Sequence, residues 1–135
     1  LPAYVASCEV FMVLAPTVLH EDGYLMDYST WKSRGWCRFE RLARVMSDRR
    51  MPMLLLRSEN VVLQMGAQDY ILDGVGLGAF SEEVDRSRVG AIVRQLYNTK
   101  LRRLLEAGHL HEYRRLLAAH VAILEGIADD WSCDA

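Results

Sequence analysis

Trp31-Lys-Ser-Arg-Gly-Trp-Cys-Arg-Phe-Glu40 is the stretch of sequence that decides the predicted fold. Residues 31–47 have helical spacing, and their apolar side chains share one face of the helix: Trp36, Phe39, Leu42, Ala43 and Met46. Glu40 falls at the edge of this face, beside Trp36. The arginines of the segment lie off the face and are predicted to be solvated, with phosphates or an acidic protein as the alternative partner: Arg38, Arg41 and Arg44.

Two short apolar runs flank this helix, at residues 9–16 and 52–57. Neither run alternates between apolar and polar residues, which is typical of strands buried on both faces in a parallel sheet under helices. Residues 1–8 are predicted to be the tail of a helix, and weaker strands are predicted at residues 61–65 and 70–72. The order of helix, strand, helix and strand predicts an α/β fold, a parallel sheet with flanking helices.

The last part of the chain, residues 81–135, is predicted to be a helical hairpin. Acidic residues open its first helix, in agreement with the helix dipole, and apolar stripes follow over residues 89–105 and 110–124. Gly108, between the stripes, suits a tight turn. We therefore predict an α/β unit over residues 1–80 and a hairpin extension over residues 81–135, packed at least partly against the rest of the chain.

The charge of the chain is nearly balanced, at −2 overall, with 8 basic and 9 acidic residues on each side of the boundary at residue 80. Such a chain has little long-range attraction for nucleic acid or an anionic membrane, and neither is expected as a partner. No run approaches the roughly 20 apolar residues that a membrane span needs. The three cysteines show no close pairing, which favours a reducing, cytoplasmic compartment. Because the first residue is Leu1 and not methionine, we expect a piece of a longer protein.

Three segments carry a resemblance to a known family: Tyr4 to Cys8, Val10-Phe-Met-Val-Leu14, and Ser33-Arg-Gly-Trp-Cys-Arg-Phe-Glu40. Together they resemble the middle of TIR-like domains, where a core strand leads to a helix that carries Trp-Cys-x-x-Glu. The Arg-Gly-Trp form also resembles fungal heterokaryon-incompatibility domains. The sequence as a whole is similar to TIR-like segments of large protist proteins, some of which have ankyrin repeats. Residues 106–117 loosely resemble an ankyrin helix pair. The TIR-like resemblance covers roughly residues 1–58, under half of the chain.

This resemblance implies a partial, flavodoxin-like (TIR-like) parallel sheet whose first strand would precede Leu1. It also implies signalling through protein partners or self-association. In some members of the family NAD is hydrolysed at the nicotinamide–ribose bond, and the glutamate of the motif, which corresponds to Glu40, is the catalytic residue. No metal or resident cofactor is implied; under this alternative NAD is the substrate.

One carboxylate suffices for this chemistry, because nicotinamide leaves NAD as a neutral molecule and needs no proton from a second acid. A fixed carboxylate stabilises the positive charge that develops on the ribose. Aromatic rings could stack on the nicotinamide or adenine, and three lie within sequence reach: Trp31, Trp36 and Tyr28. The competing interpretation is a surface ion pair between Glu40 and Arg44, which contributes about 0.3–0.5 kcal/mol. Glu40 in a cleft beside an aromatic ring would favour the enzyme, and Glu40 on the surface against Arg44 would favour the interaction module.

Three other patterns leave alternatives open. Residues 73–79 fit the dinucleotide-binding pattern G-x-G-x-x-A but are interpreted as a flexible junction before a helix. Cys37 could be a nucleophile with His20 as its base, although a cysteine beside a core tryptophan usually packs. The last pattern is a set of histidines that could hold a metal and is interpreted instead as solvated: His109, His111 and His120.

Overall fold

The computed structural model describes residues 2–48, 51–66 and 68–127. Arg49, Arg50, Cys133 and the end of the predicted hairpin, residues 128–135, lie outside the described residues. The elements before the glycine-rich stretch are α1 (Pro2–Ser7), β1 (Phe11–Leu14), β2 (Val18–Leu19), β3 (Leu25–Met26), α2 (Tyr28–Ser33), α3 (Gly35–Met46), β4 (Met53–Ser58), β5 (Val61–Gln64) and α4 (Gln68–Leu72). A 3-10 turn (Val75–Leu77) follows, and then α5 (Glu83–Glu106), α6 (Leu110–Ala118) and α7 (His120–Leu124).

The sheet confirms the central prediction, because the two apolar runs that flank α3 pair in parallel. β1 and β4 run from Phe11 opposite Met53 to Leu14 opposite Leu56. β5 pairs antiparallel with β4, so the sheet is mixed, in the order β1-β4-β5. The predicted strand at residues 70–72 is wrong, since these residues belong to the helix α4. The chain is therefore of the mixed α/β class, with a small mixed sheet and flanking helices.

The two faces of this sheet differ. Its inner face packs with α2 and α3 and holds the buried side chains of Val13, Met53 and Leu55. On the outer face Met12 and Leu14 are 44% and 65% exposed. The prediction of strands buried on both faces is therefore wrong for β1. The physical reason is that the helices the structure describes leave these outer side chains uncovered.

The predicted helix over residues 31–47 is two helices, α2 and α3, separated at Arg34. Arg34 has an extended backbone, with φ −83° and ψ 130°. The break is held from outside, because the N–H of Gly35 donates to the carbonyl of Ala79 at 2.7 Å and the N–H of Ala79 donates to the carbonyl of Ser33 at 2.8 Å. Asp27 caps α2, accepting a hydrogen bond from the Ser29 N–H at 2.8 Å. α2 therefore has an N-terminal cap of its own.

The glycine-rich stretch at residues 73–79 is a closely packed turn and not the predicted flexible junction. Val75 is buried in the core, and Gly78 lies against the first residue of α3, Gly35. A side chain on either glycine would not fit. Because the stretch follows the helix α4 and not a strand, it also lacks the context that a dinucleotide-binding turn requires.

We expect Gly78→Ala to lower the free energy of unfolding by about 2–4 kcal/mol. The added Cβ would lie 2.4 Å from Gly35 Cα and 2.7 Å from Gly35 N, and backbone atoms cannot rotate away. Denaturant unfolding measures the change. Gly23→Ala is the control, because Gly23 has φ +83° but open space around it, so only the strain of about 1 kcal/mol is expected. A loss at Gly78 no larger than at Gly23 would contradict the close contact.

The helices after residue 80 share a core with α3. Phe39, Leu42 and Met46 of α3 pack with α5 and α7, which contribute Val89, Val93, Tyr97 and Ile123. The second apolar stripe is interrupted at Ala119, between α6 and α7, and much of it is exposed, with Val121 at 77%. The division of the chain at residue 80 stays a prediction. None of the described helices has the length and apolar character needed to cross a membrane.

Candidate functional site

The sequence predicted that the arginines of α3 lie on a solvated face, but the structure does not place them there. Arg41 is fully buried and Arg44 is 2% exposed. The guanidinium of Arg44 donates to the carbonyls of Cys8 and Glu9, both at 2.6 Å. Its side chain therefore joins α3 to the connection between α1 and β1. The predicted surface pair between Arg44 and Glu40 is not formed, because the Arg44 head group is engaged on these carbonyls.

Arg41 supports the aromatic side chains of α2. Its Nη1 donates to the hydroxyl of Tyr28 at 3.0 Å, and its Nη2 lies 3.4 Å from the carboxylate of Asp73. Tyr28 stacks on Trp31, with ring centroids 5.8 Å apart. Burial raises the pKa of Tyr28, an effect that the nearby Arg41 partly offsets. The buried guanidinium thus fixes Tyr28, and Tyr28 in turn supports one side of Trp31.

Glu40 lies in a cleft of about 410 Å³ between α1, β1, α2 and α3. The lining side chains are mostly apolar or aromatic: Tyr4, Val5, Cys8, Phe11, Met12, Val13, Leu14, Trp31 and Glu40. Burial raises the pKa of the Glu40 carboxyl, and the charge of Arg34 offsets part of that rise. The carboxylate forms no hydrogen bond or ion pair with any residue that the structure describes. It is therefore a half-buried acid in an apolar cleft, without a direct partner in the part of the chain that the structure describes.

The cleft runs along the edge of β1 that is not paired with any strand the structure describes. All four residues of β1 line it, although consecutive strand residues point to opposite faces, so the cleft must lie beside the strand. No residue of β4 lines it, which places it on the side away from that strand. The N–H of Ala15 donates toward β4, to the carbonyl of Leu56 at 3.0 Å. By the alternation of a strand, the backbone N–H and C=O groups of Met12 and Leu14 point into the cleft.

The four predicted site residues are only partly brought together. Glu40 and Trp31 line the same cleft, and Tyr28 lies behind Trp31. Trp36 faces elsewhere, because its indole Nε1 donates to Asp85 of α5 at 3.3 Å. The structure therefore places Trp36 at the contact between α3 and α5, and it does not line the Glu40 cleft.

Cys8, Tyr4 and Arg34 are neighbours of Glu40 that the sequence did not single out as site residues. The sequence did contain one indication that the arginines of α3 are not solvated. Arg38, Arg41 and Arg44 recur at intervals of three residues, and like charges at that spacing repel one another on a solvated helix. Such a row of arginines indicates that each guanidinium binds a different partner outside the helix. Nothing in the sequence identifies those partners, because backbone carbonyls carry no residue-specific pattern.

The proposed thiol and metal chemistries gain no support. Cys37 is buried, and burial raises the pKa of its thiol. His20 lies 3.3 Å from Asp22 and stacks on Tyr24, on the hairpin of β2 and β3. Within the ranges that the structure covers, no three His, Cys, Asp or Glu side chains are grouped to hold a metal ion.

A larger cleft, of about 680 Å³, lies between the end of α3 and the helices α5 and α6. Lys100 and Arg103 each donate to the carboxylate of Asp48 at 3.0 Å. The hydrogen bond from Lys100 is the main cause of the lowered pKa of Asp48. Because these three side chains are engaged with one another and Glu40 is not, we place the candidate site at Glu40.

Comparisons of the chain with protein-family models, with curated proteins and with solved structures each found no match. The TIR-like resemblance therefore depends on the residues quoted above, of which Glu40 and Trp31 are in the cleft and Trp36 and Cys37 are packed in or beside the core.

Proposed function

We propose that this chain is part of a TIR-like signalling domain that works by protein–protein association, and that it associates with copies of itself through the outer face of its sheet. The observation that carries the proposal is the apolar row Leu14, Leu56 and Val62, which crosses all three strands in register. Leu14 and Val62 are 65% and 51% exposed. Contiguous apolar surface of this kind is typical of an association surface.

The parallel unit β1-α3-β4 supports the finer part of this proposal, a flavodoxin-like arrangement. In such folds parallel strands are joined by a helix that covers one face of the sheet, and α3 does so here. In this architecture both faces of the sheet are covered, and a second copy of the chain would cover the outer face.

We expect sedimentation velocity of the 135-residue chain to show concentration-dependent association, and Val62→Lys to weaken it by at least about tenfold. A lysine at the β5 end of the apolar row would have to be desolvated in the complex. Val18→Lys is the matched control, because Val18 is similarly exposed but lies on the hairpin of β2 and β3. A wild-type chain that stays monomeric, or equal effects of the two lysines, would overturn the proposed self-association.

A second candidate function is hydrolysis of NAD at the nicotinamide–ribose bond. The observation that favours it is the position of Glu40, which lies in a cleft beside Trp31 and is not paired with Arg44. The volume of the cleft is within the range of small-molecule sites. In this role the Glu40 carboxylate would stabilise the positive charge on the ribose, and the Trp31 ring would stack on a base. Its test is argued in the Discussion.

A further inference from the structure

We infer that a cleft between α3, α5 and α6 is a binding site for a small zwitterion, an α-amino acid with an aliphatic side chain. The cleft has a volume of about 290 Å³ and adjoins the larger cleft at the end of α3. It shares no lining residue with the Glu40 cleft or with the apolar row on the outer face of the sheet. The inference goes beyond the proposed association function and does not depend on it.

Four apolar side chains of this cleft suit the aliphatic part of a ligand. Met46 and Leu104 are buried, and Val45 and Leu116 are half-buried beside the same cleft. A volume of about 290 Å³ is at the lower end of the range for small-molecule sites, and such sites combine apolar walls with a few polar groups. The cleft therefore fits a small molecule that has both an apolar part and charged groups.

Two exposed side chains of α6 at this cleft carry opposite charges. Glu112 and Arg115 line it together, yet neither side chain forms a hydrogen bond or ion pair with any residue that the structure describes. The third charged residue of the lining, Lys100, is engaged, because its Nζ donates to the Ser47 carbonyl and to the Asp48 carboxylate, both at 3.0 Å. Among the described lining residues, Glu112 and Arg115 are therefore the charges left for a ligand.

The spacing of Glu112 and Arg115 selects an α-amino acid. Side chains at positions i and i+3 of a helix have Cβ atoms about 5–6 Å apart. An α-amino acid carries its ammonium and its carboxylate on one carbon, so both groups are bound at once, the carboxylate by the Arg115 guanidinium and the ammonium by Glu112. Its side chain then lies on the apolar walls. A ligand with a single charge would leave one of the two protein side chains unpaired.

The probe is L-leucine, which is titrated into the 135-residue chain while the backbone amide signals of the protein are followed by NMR spectroscopy. We expect saturable shifts of the amides at the end of α3 and in α6. Leucinamide lacks the carboxylate and N-acetyl-leucine lacks the ammonium, so each should bind at least about tenfold more weakly. Glycine keeps both charges but has no side chain to bury, and it should also bind at least about tenfold more weakly.

Protein variants test the two charges one at a time. Arg115→Gln and Glu112→Gln should each weaken binding of L-leucine about tenfold. Isocaproate, which is leucine without its amino group, distinguishes them, because Arg115→Gln should weaken its binding and Glu112→Gln should not. Arg114→Gln and Glu106→Gln are the matched controls, since they remove the same charges from exposed positions outside the cleft and should leave binding unchanged. Circular dichroism of each variant confirms that it is folded.

Absence of saturable shifts up to the solubility limit of L-leucine would overturn the site. Equal binding of leucine and leucinamide would overturn the role of Arg115, and equal binding of leucine and N-acetyl-leucine would overturn that of Glu112. Shifts that are unchanged in both glutamine variants would mean that leucine binds elsewhere on the chain, which would also contradict the inference. Self-association is measured separately by sedimentation, so failure of one proposal does not decide the other.

Discussion

Arg44→Ala is expected to lower the free energy of unfolding by about 3 kcal/mol. The substitution removes two hydrogen bonds of 2.6 Å and leaves the carbonyls of Cys8 and Glu9 without their donor. It also opens space at a position that is 2% exposed. Because these bonds join α3 to the connection that precedes β1, the wall of the cleft that includes Cys8 should loosen as well. Denaturant unfolding followed by circular dichroism measures the change.

Two variants give this prediction its controls. Arg88→Ala removes the same residue type where the side chain is 71% exposed, and its cost should stay below about 0.5 kcal/mol. Arg44→Lys keeps the charge but not the planar fork that reaches both carbonyls, so its cost should be intermediate. Equal losses for Arg44→Ala and Arg88→Ala would show that the buried hydrogen bonds contribute nothing measurable.

The parallel pairing of β1 and β4 was predictable because each strand is a short apolar run bounded by a proline or a turn, with a helix between them. Such runs do not identify which face the helices will cover. Met12 and Val13 are equally apolar, yet one is exposed and the other is buried. Alternation of polar and apolar residues normally supplies this information, and it is absent from residues 9–16.

The prediction that Trp31 and Trp36 lie together beside Glu40 was wrong for a different reason. A wheel over residues 31–47 treats Trp31 and Trp36 as parts of one helix. The extended backbone of Arg34 separates them, so Trp31 lies on α2 beside Glu40 while Trp36 contacts α5. The break depends on hydrogen bonds with Ala79, more than 40 positions along the chain, and a local helical pattern cannot contain such a contact.

The burial of arginines also cannot be predicted from a local pattern, because a row of solvated arginines would have the same spacing. Arg41 is accommodated by Tyr28 and Asp73, and Arg44 by two backbone carbonyls. Each partner belongs to a segment distant in sequence. Thus the pairing of β1 with β4 follows from two apolar runs with a helix between them, and the core face of α3 follows from helical spacing, whereas the polar contacts that shape the Glu40 cleft follow from tertiary packing.

If the second candidate function holds, Glu40→Gln should reduce the release of nicotinamide from NAD by at least about 100-fold. The amide has nearly the shape of the carboxylate but carries no negative charge to stabilise the ribosyl cation. Release is followed by liquid chromatography after incubation of NAD with the chain, and with any longer form of the protein that contains it. Glu21→Gln, an exposed substitution outside the cleft, should retain full release. No release from the wild-type protein at high concentration would remove the enzymatic candidate, and equal release from Glu40→Gln would remove the role of Glu40.

The stability of Glu40→Gln separates a functional carboxylate from a structural one. Burial raises the pKa of Glu40 in the folded state above its value in the unfolded chain. The folded state therefore favours the protonated acid, and this contribution to stability is present below the unfolded pKa of about 4.3 and is lost as the pH rises through the folded pKa. At neutral pH the charge destabilises the fold, so Glu40→Gln should unfold at the same or a higher denaturant concentration than wild type. At about pH 4 this advantage should shrink, because the wild-type acid is then largely protonated. A variant that lost both nicotinamide release and stability at neutral pH would mark Glu40 as a structural residue, and a gain in stability with loss of release would mark a charge kept for its chemistry.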